Sequence, residues 1–299
     1  MTFLTQSDAE FARSQLDNGC STMAHLLCGL LDSKGRVAEE VHAIRKLGKS
    51  LRGGFSLFQL KDAASEIQVI GRLLSGPRNA VSRLKTWEKL DWENEKPVSK
   101  AIFGLLGQHT RSAARRPPEE TIGWCQERVA EARKGLMELP VEGLEMVAQT
   151  GARRLQKKVR RRLGALDSRN EEDFHDARKA LKAFMGAAGF LPERAQPLDP
   201  KLAEIADLLG DENDLATLSD WLTEHGFSKK FAPGVWKLVK KNRRSLRKQV
   251  IADADGLFCA GFLWTKGLIA RHKPAKTGKM AGSPVGAEFG KPTYSPVIR

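Results

Sequence analysis

The sequence predicts a nearly all-α protein, and three observations carry that reading. Apolar residues recur mostly at a period near 3.6, in segments dominated by Ala, Leu, Glu, Lys and Arg. Few stretches alternate apolar and polar residues, as a half-buried strand would. Helix breakers fall between the periodic segments, at Gly35, Gly76-Pro77, Pro117-Pro118, Pro140, Pro192 and Pro233-Gly234.

Between those breaks the pattern predicts helices in order. The first two span 7–31 and 35–61, parted by Gly35. Helices over 63–75 and 78–91 flank Gly76-Pro77, and one over 97–107 precedes Pro117-Pro118. Then come 119–138, 141–166 and 171–191, bounded by Pro140 and Pro192. Segments 199–209 and 213–226 are predicted as two helices, with Asp211, Glu212 and Asp214 read as a turn and helix N-cap. Helices over 230–252 and 255–271 follow. Residues 273–299 are rich in Gly, Pro, Lys and Ser, and are expected to be a disordered basic tail.

Fifty Lys and Arg against 36 Asp and Glu give a net charge of +14 and a pI near 9.8. That excess favours an anionic partner by attraction and steering. Cys20, Cys28, Cys125 and Cys259 form no Cys-x-x-Cys pair, so they read as free thiols of a reducing cytoplasm. No Lys or Arg precedes Arg13, so the start of a secretory signal is lacking. The apolar run Met23–Leu31 is too short to span a bilayer. The expectation is a cytoplasmic protein that does not engage membranes.

One eight-residue pattern, His-x-x-Arg-Lys-x-x-Lys, occurs twice. His42, Arg45, Lys46 and Lys49 form the first copy; His175, Arg178, Lys179 and Lys182 form the second, 133 positions later. Leu73-Leu74 and Leu208-Leu209 are offset by 135, and Trp87 and Trp221 by 134. Three landmarks at nearly one spacing indicate an internal repeat. Its period is that of a small helical bundle, so two related bundles are expected. The predicted division is an N-terminal helical segment 1–34, a first bundle 35–140 and a second bundle 141–272.

On a helix advancing about 100° per residue, Arg45, Lys46, Lys49 and Arg52 fall within about 80° of His42. Ile44, Leu47, Leu51, Phe55 and Phe58 fall on the opposite face. The second copy repeats this, with Ala177, Ala180, Leu181, Phe184 and Ala188 opposite its cations. Each helix thus carries a ridge of His, Arg and Lys behind an apolar face. A solvated basic face is the plain alternative. Against it stand the repeated order of unlike residue types and the scarcity of acids to pair at i,i+4. Arg forks two oxygens while Lys acts as a point charge, which suits a ligand rich in oxygens.

Two further helices are cationic along one side. RRLQKKVRRRL (153–163) presents Arg153, Lys157, Arg160 and Arg161; WKLVKKNRRSLRK (236–248) presents Lys237, Lys240, Lys241, Arg244, Arg247 and Lys248. Four such helices facing one another would line a positive groove.

The segments VHAIRKLGKSLRGGFSLF (41–58), FHDARKALKAFMGAAGFL (174–191) and LLGDENDLATLSDWL (208–222), in this order and spacing, resemble the CHAD domain, the conserved histidine α-helical domain. The likeness covers roughly residues 35–270. It implies two antiparallel helical bundles related by an approximate twofold, forming one unit with a central basic cavity that binds inorganic polyphosphate. It also implies a link to polyphosphate granules. Carried over, His42, Arg45, Lys49 and Arg52 would line one side, and His175, Arg178, Lys179 and Lys182 the other. Arg78 and Arg83 join the candidate set, although Asn79 stands where the family often has Asp.

The reading is a binder, not an enzyme, and calls for no cofactor. Two histidines are too few for a closed metal site. A polyphosphatase would need carboxylates to hold magnesium beside the anion. A histidine phosphotransfer bundle wants one exposed His, and here two sit among cations. The histidines are therefore read as hydrogen-bonding phosphate. A nucleic-acid binder is the alternative, since attraction for polyanions is common to both. Single-strand binders stack bases on exposed aromatics, yet Phe55, Phe58 and Phe184 fall on the apolar faces. Trp87, Trp221 and Trp236 read as core anchors.

Overall fold

The helical periodicity resolves into ten α-helices in a computed structural model, which describes residues 4–32, 37–90, 96–113, 116–196 and 199–259. They are α1 (Gln6–Leu31), α2 (Val37–Leu57), α3 (Lys61–Leu73), α4 (Ser75–Glu88), α5 (Lys96–Ala113), α6 (Glu119–Met137), α7 (Leu144–Leu163), α8 (Glu171–Ala188), α9 (Lys201–Glu224) and α10 (Pro233–Cys259). A single 3₁₀ turn covers Glu193–Ala195, and no strand occurs among the described residues. The expected tail 273–299 lies outside them.

Local chemistry explains the ends. Thr5 and Asp8 form a capping box on α1, each side chain accepting from the other's backbone N–H, at 3.2 and 3.0 Å. Gln59, at φ 60°, turns the chain from α2 into α3, and the Leu60 N–H donates to the Phe55 carbonyl at 2.9 Å. Gly76 and Pro77 do not separate helices as predicted; they occupy the first turn of α4, where proline sacrifices no helical hydrogen bond. The break falls at Leu74.

Two predicted helix pairs are single helices. Leu209, Glu212 and Leu215 are buried at helical spacing, so packing carries α9 straight through Gly210. A mid-helix glycine costs only about 1 kcal/mol, which burial of those neighbours offsets. The expected turn and N-cap at Asp211–Asp214 is therefore mid-helix. In the same way α10 continues through the break expected at 253–254.

The core has two clusters. The larger joins the buried faces of α1, α2, α3, α6, α7 and α8 with the first half of α9 and the far end of α10. The smaller gathers Trp87, Leu90, Ile102, Leu106, Leu215, Leu218, Trp221, Leu222, Ala232, Val235 and Val239 from α4, α5, α9 and α10. Both draw on residues from 35–140 and from 141–272, so neither cluster belongs to one half. α1 contributes seven buried residues to the larger cluster, Leu16, Met23 and Leu27 among them.

The most extensive helix–helix contact joins the two motif helices, α2 and α8. Gly53 and Gly186, equivalent positions in the repeat, make it close. A Cβ on Gly53 would stand 2.5 Å from the Ala183 carbonyl oxygen and the Ala187 nitrogen; one on Gly186 would stand 3.1 Å from the Ser50 Cα. The register rises along both helices together, with Ser50 against Gly186 and Gly54 against Phe190. The helices therefore run in the same general direction, and both His-Arg-Lys strings lie on the N-terminal side of the crossing.

Gly53→Ala should destabilise the protein by about 1–3 kcal/mol, because the backbones must part to admit the methyl group. Gly104→Ala, in open space in the middle of α5, should instead stabilise by up to about 1 kcal/mol. Urea denaturation of the two variants checks the contrast.

Candidate anion-binding site

The motif helices are amphipathic as the periodicity predicts. Ile44, Leu51, Phe55 and Phe58 of the first copy are buried, as are Ala177, Ala180, Leu181, Phe184 and Ala188 of the second. On the opposite face His42, Lys46, His175 and Lys179 are exposed, while Arg45, Lys49, Arg52, Arg178 and Lys182 are half-buried. Among the half-buried members, the guanidinium Nε atoms of Arg45 and Arg178 are themselves buried.

The two ridges meet. The Lys182 ammonium has its pKa lowered, first by burial and then by Arg178 and by Lys46 across the helix pair, with Asp207 acting in the opposite sense. The first copy also opens onto α3. Arg45 donates to the Gly71 carbonyl. Arg45, Lys49, Arg52 and Arg72 line a pocket of about 200 Å³ between α2 and α3. Burial, and then Arg72, lowers the pKa of Arg52.

The second copy is surrounded differently. The His175 Nδ1 lies 3.1 Å from the Asn213 Oδ1 on α9. Asp176 pairs with Arg162 at 2.9 Å and with Lys179 at 3.6 Å. Lys179, predicted as a ligand-facing cation, thus shares a carboxylate within its own ridge.

The remaining candidates divide. Arg153, Lys157, Arg160 and Arg161 are exposed and, with Gln156, line a wide concavity on α7 made of that helix alone. Lys237, Lys240, Lys241 and Arg244 are exposed on α10, whose main packing partner is α9. Neither described pocket combines these helices with the motif ridges. Arg83 enters the smaller core, 5.9 Å from the centre of the Trp221 ring, with its pKa lowered by burial. The Arg78 side chain lies outside the described residues.

Arg247 requires a correction. Its side chain is 12% exposed and pairs with Glu212 at 2.7 Å; Glu212 is 3% exposed and also takes Arg243, at 2.9 Å. Glu171 adds a second carboxylate to Arg243 at 2.6 Å. Arg247 is a structural cation that ties α10 to α8 and α9, not part of an open basic surface. Sequence reasoning missed Arg243 because its carboxylates stand 31 and 72 positions away.

A second histidine pair also escaped notice. The Trp221 indole donates to the His109 Nδ1 at 3.2 Å, and His225 stacks on Trp221 at 4.3 Å between centroids. Burial, then His225 and Arg83, lowers the His109 pKa. No group of three or more His, Cys, Asp or Glu able to hold a metal occurs among the described residues. No helix among them is long and apolar enough to cross a membrane.

A family profile described as the CHAD domain matches residues 23–223, the span from the second half of α1 to the end of α9. The chain belongs to the CHAD-domain family. The crystal structure of the CHAD domain from the plant Ricinus communis is similar, with a TM-score of 0.58 at 18% identity over 84% of this chain and 90% of that one. That likeness confirms the CHAD fold. No curated protein sequence matches. The profile includes both motif helices and Asn213-Asp214 but ends before α10, so the Glu212–Arg243–Arg247 network joins a helix outside the CHAD match to one within it.

Glu212→Ala should cost about 3 kcal/mol, because it removes the buried carboxylate shared by Arg243 and Arg247 and leaves them only the more exposed Glu171. Asp211→Ala, which breaks only the exposed pair with Lys89, should cost less than about 1 kcal/mol. Chemical denaturation of both variants tests whether the network is structural.

Proposed function

We propose that this CHAD domain binds inorganic polyphosphate, without chemical conversion, along the His/Arg/Lys ridges of α2 and α8. The observation that carries the reading is the parallel crossing, which sets both strings on one side with Lys46 close to Lys182. Cations gathered on adjacent helices repel one another, and a linear polyanion lying across them relieves that repulsion. Half-buried arginines supply forked donors to phosphate oxygens, and lysines supply point charges. Polyphosphate granules are the place where such a domain would act.

Two further observations support the reading. The aromatic residues of the motif helices, Phe55, Phe58, Phe174 and Phe184, are buried, so a base would find no platform on the ridges. Asp176 and Glu212, carboxylates beside the second copy, are held by cations of the chain itself, which favours binding over metal-assisted hydrolysis.

Long-chain polyphosphate should displace single-stranded DNA at equal charge concentration, and its affinity should fall steeply with salt. Pyrophosphate should be nearly inert as a competitor, because a longer chain adds contacts at one shared ordering cost. Competition followed by fluorescence anisotropy at matched ionic strength checks both. Displacement of polyphosphate by DNA would make the protein a nucleic-acid binder instead.

A further inference from the structure

The repeat alone predicts two equal half-sites, but the helix beside each ridge differs in charge. α3 packs against α2 as α9 packs against α8. Aligning Leu73-Leu74 with Leu208-Leu209 sets Arg72 of α3 opposite Asp207 of α9. The first ridge is therefore faced by a cation and the second by an anion.

The consequences are visible on both sides. In the first half Arg72 joins Arg45, Lys49 and Arg52 around the α2–α3 pocket, and no carboxylate is among its lining residues. Gly48 keeps that pocket open at its base, where an added Cβ would meet Met23 at 3.2 Å and Ile67 at 3.4 Å. Burial, and then Arg72, disfavours the charged form of Arg52 there. In the second half Asp207 acts on Lys182, Asp176 takes Lys179, and Asn213 occupies one nitrogen of His175.

We infer that the α2–α3 pocket is the anchoring subsite for condensed phosphate, that Arg72 is one of its binding residues, and that the α8 ridge is a weaker extension. The inference rests on the polyphosphate reading and refines it by ranking the two halves. A short stretch of phosphate chain seats between the four cations of the pocket. The rest of the chain passes over Lys46 toward Lys182, whose charge Asp207 already offsets in part.

Swapping the two facing charges tests this. Arg72→Asp copies the second half into the first, and Asp207→Arg does the reverse on an exposed face of α9. Lys134→Asp, an exposed cation on α6 lining neither pocket, matches the charge change of Arg72→Asp. Affinity for long-chain polyphosphate is read by calorimetry, with folding checked by circular dichroism. Arg72→Asp should weaken binding at least about tenfold more than Lys134→Asp does, the loss expected for a charged hydrogen bond. Asp207→Arg should strengthen it severalfold. Tripolyphosphate should bind the parent weakly, lose binding in Arg72→Asp and keep it in Arg178→Ala. Equal losses in Arg72→Asp and Lys134→Asp, with no gain in Asp207→Arg, would overturn the ranking while leaving polyphosphate binding intact. If Arg72→Asp does not fold, the absence of any gain in Asp207→Arg alone overturns it. A parent that fails to bind long-chain polyphosphate at all would overturn the functional reading and this inference together.

Discussion

The close crossing of α2 and α8 is the constraint on which the rest depends. Two backbones can approach this tightly only where a residue lacks a Cβ, and Gly53 and Gly186 each lie under the other helix. Because the glycines sit at equivalent positions of the repeat and the helices run the same way, their ridges come together on one side. Were the crossing opposed in direction, His42 and His175 would point to opposite ends of the molecule. The surrounding helices then hold the pair in place. α1 and α3 brace α2, α7 and α9 brace α8, and the Glu212 network fastens α10 to that frame.

This frame assembles positive charge at a cost. Arg52 beside Arg72 and Lys182 beside Arg178 and Lys46 have their charged forms disfavoured first by burial and then by their neighbours. Inside the molecule the chain treats such charge quite differently. Arg243 and Arg247 are matched by Glu212 and Glu171. Acids are thus supplied where a cation serves packing, whereas the pocket between α2 and α3 has none in its lining. On the proposed reading, an external anion would bring the negative charge that this lining lacks.

Much of this was legible in the sequence. The helical class, the duplicated string, the opposed faces of each motif helix and the CHAD resemblance all follow from local spacing, which a helix converts directly into direction. Trp87 and Trp221 proved to be core anchors for the same reason. What was not legible depends on partners far apart in the chain. The unbroken α9 reflects burial of Glu212 against Arg243 and Arg247, which overrides the local turn signal of Gly210 and the acids around it. Arg247 looks like its exposed neighbours on α10 until that carboxylate is placed. The pairing of His109 with His225 required the fold to bring α5 to the end of α9. The close contact of Gly53 and Gly186 with the opposite motif helix likewise depends on the crossing and was not legible.

The central claim is that the two ridges form one continuous site. Its most direct test is titration calorimetry with a phosphate chain long enough to span both helices, on the parent, Arg45→Ala, Arg178→Ala and the double variant. One continuous site predicts a single binding transition in every titration, weakened in each single variant and weakest in the double. Two transitions in the parent, of which each single variant removes one and leaves the other untouched, would contradict it.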